Sequence, residues 1–368
     1  MRGTFIEAHI ADIHFGALDP HTQLKILNEQ FLNKIIQLPY LNIVSINGDL
    51  FDKKYMANSE VVTCASQFIY ELINICKHFN ATLILIHGTE SHDAHQFNIF
   101  YHYLDDPSID FRIVESMQYI WVKGKMILCI PEESNKGREY YESKFREREY
   151  DACYMHGTFV NSIPGFTIED LDSEKRPTFD INNFWRCNGP IISGHVHVAQ
   201  CYKKHFYYTG SPIRWMFGEE EPKGFLILCH NLDTEEYIVR NEEIVSFQYV
   251  TLDLDSILLT DPNEIIKYLE RLKESGIDYI KLKIRKYIDA IPIIKEYFRT
   301  KEWLVISDKI KAEQSLKASE EVMSKYKGLE FLTDPNIDDY TKFVMYVNSQ
   351  EGEGFLTVEN LKELLKDG

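Results

Sequence analysis

The stretch Asn47-Gly48-Asp49-Leu50-Phe51-Asp52 follows a short apolar run, residues 41–46, that reads as a buried strand. That strand ends on a glycine and at once delivers two carboxylates. In α/β sheets, chemistry gathers at the carboxyl ends of strands. Gly and Asp also occur in such turns for backbone reasons alone, so the stretch gains meaning from repetition. Strand, tight turn and ligand-type residue recur at Asp12-Ile13-His14, over residues 88–93, at His156-Gly157 and at Gly194-His195-Val196-His197. Asp49 reads as a carboxylate shared between two metal ions. Asp12, His14, His156, His195 and His197 read as the rest of the cage. In Asp12-x-His14 both side chains fall on one side of an extended backbone, and a carboxylate beside an imidazole suits manganese, iron or zinc. A pair of such ions can clamp a phosphodiester, activate a water and stabilise the leaving oxygen.

Composition sets the bounds. The chain has 368 residues, 44% of them hydrophobic, enough for two or three globular domains. No apolar run is long enough to span a membrane, and residues 1–10 lack the apolar core of a signal peptide. The seven cysteines are scattered with no Cys-x-x-Cys pair. They are expected to be reduced core residues of a cytoplasmic protein, not a disulfide or zinc scaffold. The net charge of −17 argues against broad adhesion to nucleic acid, which needs many Lys and Arg contacts. It does not argue against a phosphate held by metal ions.

Along the chain, residues 4–12 alternate as a first strand. Asp19-Pro20 caps a helix whose Leu24, Leu27, Phe31, Ile35 and Leu38 recur at helical spacing, up to Pro39. A second helix opens at Ser59 with Val62, Ala65, Ile69, Leu72 and Cys76 on one face, and a third strand covers 81–86. This order predicts a parallel sheet with covering helices. Residues 119–122 and 126–130 form a hairpin pattern, 135–148 a charged helix, 151–155 a strand, and 160–185 a long excursion. The segments through 207–212 and 224–229 read as antiparallel strands. Beyond residue 245 comes a small α+β module, with strands over 247–254 and 279–284 and helices over 262–274 and 291–298. A polar stretch, 312–338, precedes two short helices over 340–347 and 357–366.

The motif series resembles the calcineurin-like metallophosphoesterases, and within them the nuclease subunit of SbcCD type. Gly48-Asp49-Leu50-Phe51-Asp52 lacks the Arg that protein phosphatases carry after the second Asp. Tyr208-Thr209-Gly210-Ser211-Pro212, Phe217-Gly218-Glu219-Glu220 and Lys223-Gly224-Phe225 resemble a signature of the nuclease branch. The resemblance is specific over about residues 1–230 and architectural after that. It implies a metallophosphoesterase β-sandwich flanked by helices in αββα order, with a small α+β C-terminal cap. The implied domains are a catalytic domain over 1–245, a DNA-contacting cap over 246–335 and ATPase-docking helices over 336–368. It also implies two manganese ions, with magnesium as a substitute. Asp12, His14, Asp49 and His197 would hold one ion, and Asp49, His156 and His195 the other, with His92 protonating the leaving group or steadying the phosphate. The implied activity is DNA exonuclease and endonuclease cleavage beside a coiled-coil ATPase of SbcC type, from a homodimer.

One departure is plain. The family reads Gly-Asn-His-Asp after the third strand, and its Asn ligates the second metal. Here the stretch is Gly88-Thr89-Glu90-Ser91-His92-Asp93. Ser91, Glu90 or water is expected in the vacated place. Two other functions fit the same residues: a small-molecule phosphoesterase, or a clamp subunit that positions DNA without cutting it.

Overall fold

The computed structural model describes residues 3–93, 95–133, 136, 138–159, 178–202, 205–219, 221–257, 259–284, 289–308, 338–351, 357, 358 and 360. Residues 160–177 of the expected excursion and 312–337 of the polar stretch lie outside the described residues, as do 309–311 before it. So do residues 352–356 and most of the final helix.

The chain divides into two compact units, residues 1–250 with 272–279, and 251–271 with 280–368. The first is built on two six-stranded sheets. In one, β1 (Thr4–Ile10), β2 (Ile43–Asn47), β3 (Thr82–Ile86) and β4 (Asp110–Val114) run parallel. In the other, β6 (Lys125–Ile130), β7 (Ala152–His156), β10 (Ile191–Gly194) and β12 (Phe206–Tyr208) run parallel. The hairpin partner β5 (Gln118–Val122) pairs antiparallel to β6 as expected. The short pair β8 (Thr158–Phe159) and β9 (Thr178–Phe179) stands apart from both sheets. The strand β11 (Gln200–Tyr202) is antiparallel to β12, but β12 itself lies parallel to β10. The segment after it leaves this sheet altogether. Strand β13 (Gly224–Asn231) returns to pair antiparallel with β1, and β14 (Glu236–Glu243) completes that edge.

Three cores follow from this layering. Ile6, Ala8, Ile10, Val44 and Leu85 face helix α1 (Pro20–Leu27) and the long helix Glu60–Phe79. Phe5, Ile43, Ile84, Ile127, Tyr154 and Ile192 fill the space between the sheets. Leu128, Cys153, Met155 and Phe206 pack against Tyr141 and Phe145 of the helix Arg138–Phe145. The mixed α/β architecture expected from the sequence is therefore present, with helices outside two stacked sheets. Both cap readings hold: the Asp19 carboxylate accepts from the Thr22 N–H at 2.8 Å, and Ser59 Oγ from the Val62 N–H at 3.3 Å. The first helix is not regular to Pro39. A π-helical turn, Asn28–Leu32, shifts its register before a last short turn, Asn33–Ile35. All seven cysteines are free, but Cys201 is exposed, Cys187 and Cys229 are half-buried, and only the other four belong to the core as expected.

Beyond residue 245, strands β16 (Tyr279–Ile284) and β17 (Leu304–Asp308) pair in parallel. β15 (Tyr249–Asp253) completes a three-stranded sheet. Ile265, Ile266 and Leu269 of the helix Pro262–Glu274, and Ile291 and Ile294 of the helix Ala290–Tyr297, are buried. The sequence reading omitted β17. The helix Asp339–Glu351 matches the first of the two C-terminal helices. Among the described residues no helix is long and apolar enough to cross a membrane.

One polar network lies within the sandwich. On β1, Glu7 and His9 alternate with the helix-facing apolar residues and are fully buried. Glu7 accepts from Lys125 Nζ at 3.1 Å and from the Tyr154 hydroxyl at 2.8 Å, and it meets His9 Nε2 at 3.1 Å. Burial pushes the Glu7 carboxyl up, but Lys125 and His9 outweigh it and hold the group at about 2, against an ordinary 4.5. A depressed carboxylate stabilises the fold above its unfolded pKa and loses that contribution as pH falls through the folded one. The contribution, on the order of 3 kcal/mol, should therefore be complete above pH 4.5 and drain away toward pH 2. Urea unfolding at stepped pH should show this decline in the native chain and a flatter one in Glu7→Gln with Lys125→Met; parallel declines would contradict it.

Candidate metal centre

The candidate ligands meet because each lies at or just past the carboxyl end of a parallel strand. Asp12 and His14 follow β1, Asp49 follows β2, His156 ends β7, and His195 and His197 follow β10. Past their ends β1 and β2 stay paired: the N–H groups of Asp12, His14 and Phe15 donate to the carbonyls of Gly48, Asp49 and Leu50 at 3.0, 3.0 and 2.8 Å. The sheets are joined at the site by the His195 N–H, which lies 3.0 Å from both Asp12 carboxylate oxygens. Asp12, His14, Asp49 and His195 all hold positive φ, at 52°, 50°, 53° and 82°. Left-handed backbone at a non-glycine residue costs on the order of 1–3 kcal/mol and persists where the surroundings enforce it. Gly88 is required by close approach, since a Cβ there would collide with the Asp49 backbone nitrogen and carboxylate.

The side chains form four overlapping groups, Asp12/His14/His197, His14/Asp49/His92, Asp12/Asp49/His156 and Glu132/His156/His195, each with its donor atoms within 4.8 Å of one another. Asp49 belongs to two of them and lies between the rest. His156 Nδ1 is 2.8 Å from the Asn47 carbonyl oxygen. A carbonyl can only accept, so the neutral ring carries its proton on Nδ1 and turns the Nε2 lone pair inward. That Nε2 lies 3.3 Å from Asp49 Oδ2 and 3.3 Å from His195 Nδ1. His14 Nε2 and His197 Nε2 lie 3.1 Å apart, while His14 Nδ1 is buried with no hydrogen-bond partner. On the outer side, His197 Nδ1 is 3.5 Å from Glu219 Oε1. Glu219 in turn accepts from the buried Lys223 Nζ at 2.8 Å, and that ammonium also donates to the His197 carbonyl at 2.9 Å.

Electrostatics follow from this crowding. Burial pushes the Asp49 carboxyl up, but His156 and His14 hold it well below the usual carboxylate range. Burial pulls the His156 imidazole down, yet Asp49 outweighs it and raises the ring well above its ordinary value. His14 goes the other way, because its burial outweighs Asp49 and Asp12. Burial pushes Glu219 up, and its bonds with His197 and Lys223 bring it down to about 2.

The motif Gly88 to Asp93 is where the structure departs from the sequence reading. Residues Glu90–Asp93 form a short helical turn that leaves Glu90 and Ser91 exposed and in none of the four groups. The two residues inserted relative to the family pattern are absorbed by that turn, so neither stands in the vacated place. The carboxylate beside His156 and His195 is instead Glu132, just past the end of β6, with Oε2 3.2 Å from His195 Nδ1 and 3.7 Å from His156 Nε2. Sequence reading passed over it, although Ile130-Pro131-Glu132 obeys the same strand-end rule as every other candidate. Thr89 sits between: its N–H donates to Asp49 Oδ1 at 2.6 Å, and its hydroxyl is 3.2 Å from both Asp49 Oδ2 and Glu132 Oε2. His92 lies beside His14. Its ring packs edge-on against His14 with centroids 4.9 Å apart, and its Nδ1 contacts the Asp52 carbonyl oxygen.

These residues fit divalent cations. Ligands at right angles about an ion at ~2.1 Å are ~3.0 Å apart, which is the spacing of the His14–His197 nitrogens and close to that of His156, His195 and Asp49. The mixed imidazole and carboxylate set suits manganese, iron or zinc.

Comparison with known proteins agrees at the level of class. No family model matches the chain. The chain is 26% identical over 271 residues to "Putative phosphoesterase 244L" of Invertebrate iridescent virus 6, covering 68% of this chain and 90% of that protein. It is 24% identical over 343 residues to "Putative phosphoesterase 078R" of Invertebrate iridescent virus 3, covering 86% and 89%. These distant relatives support a phosphoesterase family, and their names suggest hydrolase activity.

Asp93 holds the floor of the site. Its buried carboxylate accepts the N–H groups of Asp49 at 2.8 Å, Gly88 at 2.9 Å and Phe51 at 3.2 Å. Burial and the charge of Asp49 push this carboxyl up to about 8. Asp93→Ala would orphan three buried donors, each costing about 1–3 kcal/mol. A marked fall in the urea midpoint is expected, and an unchanged midpoint would show that the loops hold themselves.

Proposed function

We propose that the chain is a manganese-dependent DNA nuclease that hydrolyses phosphodiester bonds with two metal ions, with magnesium as a possible substitute. It would act beside a coiled-coil ATPase of SbcC type in DNA end processing. The observation that carries the reading is the placement of Asp49 among Asp12, His14, His92 and His156 at the joined edges of the two sheets. In this proposal Asp12, His14, Asp49 and His197 hold one ion, and Asp49, His156 and His195 hold the other. When bound, the ions supply positive charge against the phosphoryl oxygens and an activated water.

The chain's own residues supply the rest. Asp49, kept ionised and pinned by the Thr89 N–H, holds fixed negative charge between the two positions. Lys223 and Glu219 fix the His197 ring from behind. With Nδ1 against the Asp52 carbonyl, His92 has Nε2 left to hold or release a proton toward a leaving oxygen. Because the chain is acidic, at −17, DNA contacts would be local, and the proposal gives the α+β module a part in them. The C-terminal helix leaves Phe343 and Met345 exposed at 51% and 38%, which suits docking on the ATPase partner. Homodimerisation and a cytoplasmic location complete the proposal.

The direct test is digestion of linear duplex and single-stranded DNA by the purified chain in manganese, with chelator and with bis(p-nitrophenyl) phosphate as controls. Cleavage of DNA that chelator abolishes is expected. Turnover of the small diester with no loss of DNA would replace the nuclease reading with that of a small-molecule phosphodiesterase.

General acid work contributes about 10²–10⁴-fold. His92→Ala should therefore slow DNA cleavage by about that factor while metal content, read by elemental analysis, stays unchanged. Loss of an ion from this variant would make His92 a ligand instead.

A further inference from the structure

The carboxylate that the sequence reading passed over gives the second cation position a different composition. We propose that Glu132 is a ligand of that position, beside Asp49, His156 and His195, and that Thr89 sets the spacing of the two carboxylates. This rests on the metal-dependent reading above and deepens it.

Glu132 is 5% exposed, and its N–H is anchored 3.2 Å from the His87 carbonyl. Its neighbour Glu133 turns away, accepting from the Met117 N–H at 2.7 Å and the Tyr140 hydroxyl at 3.0 Å. Glu132 Oε2 therefore points inward alone, toward His195 Nδ1 at 3.2 Å, His156 Nε2 at 3.7 Å and Thr89 Oγ1 at 3.2 Å. His156 Nδ1 faces the Asn47 carbonyl, so its Nε2 is the nitrogen turned to the site. Glu132 Oε2, His156 Nε2 and His195 Nδ1 lie within 4.8 Å of one another, as ligands of one divalent cation do, and Asp49 Oδ2 is 3.3 Å from the same His156 nitrogen. A surface ion pair between Glu132 and His195 would need no such convergence, and neither group is at the surface.

This composition has a consequence for affinity. With two carboxylates and two imidazoles, the second position is as anionic as the one that Asp12 and Asp49 share with His14 and His197. Two such positions favour hard divalent cations, and both ions should be held by the free enzyme, before substrate arrives.

The probe is Mn²⁺ alone, titrated into the chelator-treated full-length chain and into Glu132→Gln and Glu132→Asp. Bound metal is read by elemental analysis after dialysis and by electron paramagnetic resonance, with thermal unfolding of each metal-free protein to confirm folding. The native chain should bind two ions with an exchange-coupled spectrum. Glu132→Gln should keep one ion with an uncoupled spectrum and bind the second at least ~100-fold more weakly. Glu132→Asp, which keeps the charge, should fall between them and stands in if the amide variant does not fold. Two ions at native affinity in Glu132→Gln would overturn the assignment while leaving the nuclease reading intact. A native chain that holds two ions yet cuts no DNA would end the nuclease reading and leave the assignment standing.

Discussion

Buried like charge is the constraint on which this molecule turns. Asp12, Asp49, Asp93 and Glu132 are all nearly inaccessible and crowd one edge of the sandwich. Carboxylates this close cannot all remain ionised unless positive charge or donated protons balance them. Asp93 accepts three backbone N–H groups, yet burial and Asp49 still push its carboxyl up. Glu219, one layer out, has a buried lysine. The inward oxygens of Asp49 and Glu132 have only imidazoles and one hydroxyl, and that deficit is what a divalent cation relieves. The strained backbone at Asp12, His14, Asp49 and His195 is the structural counterpart: the loops accept unfavourable φ values to bring acidic groups to one place.

The sandwich makes that placement possible. Two sheets of parallel strands are stacked with their carboxyl ends on one edge, so loops distant in sequence meet there. The joint is made by chemistry and not only by apolar contact. His195 from one sheet donates to Asp12 from the other, and further inside, Lys125 and Tyr154 of the second sheet satisfy Glu7 of the first. Such a buried polar network defines how the sheets register on each other, since a slip would strand the Glu7 carboxylate without a partner.

Much of this was legible in the chain. The strand-end rule named Asp12, His14, Asp49, His156, His195 and His197, which the fold brings to one edge, because each follows an apolar run directly and sits in a short motif with glycine or a second ligand. It missed Glu132, which follows Pro131 and precedes another glutamate, so the pair reads as a solvated turn; only its spatial neighbours distinguish it from Glu133. Ser91, Glu90 or water was left open for the vacated place, and the fold takes the two residues out of it, because the insertion of two residues bulges outward as a helical turn without disturbing Thr89 before it or Asp93 after it. Helix caps at Asp19 and Ser59 were read correctly, being local. The return of β13 to the first sheet was not readable, since it depends on pairing across more than two hundred residues. Nor was the partnership of Glu7 with Lys125, whose members look like ordinary strand-face charges when taken singly.

The account stands on Asp49 lying between two cation positions. Anomalous diffraction from crystals grown in Mn²⁺ tests this most directly. It should show two peaks on either side of the Asp49 carboxylate, one against Asp12, His14 and His197 and the other against Glu132, His156 and His195. A single peak, or peaks that leave Asp49 unligated, would contradict it.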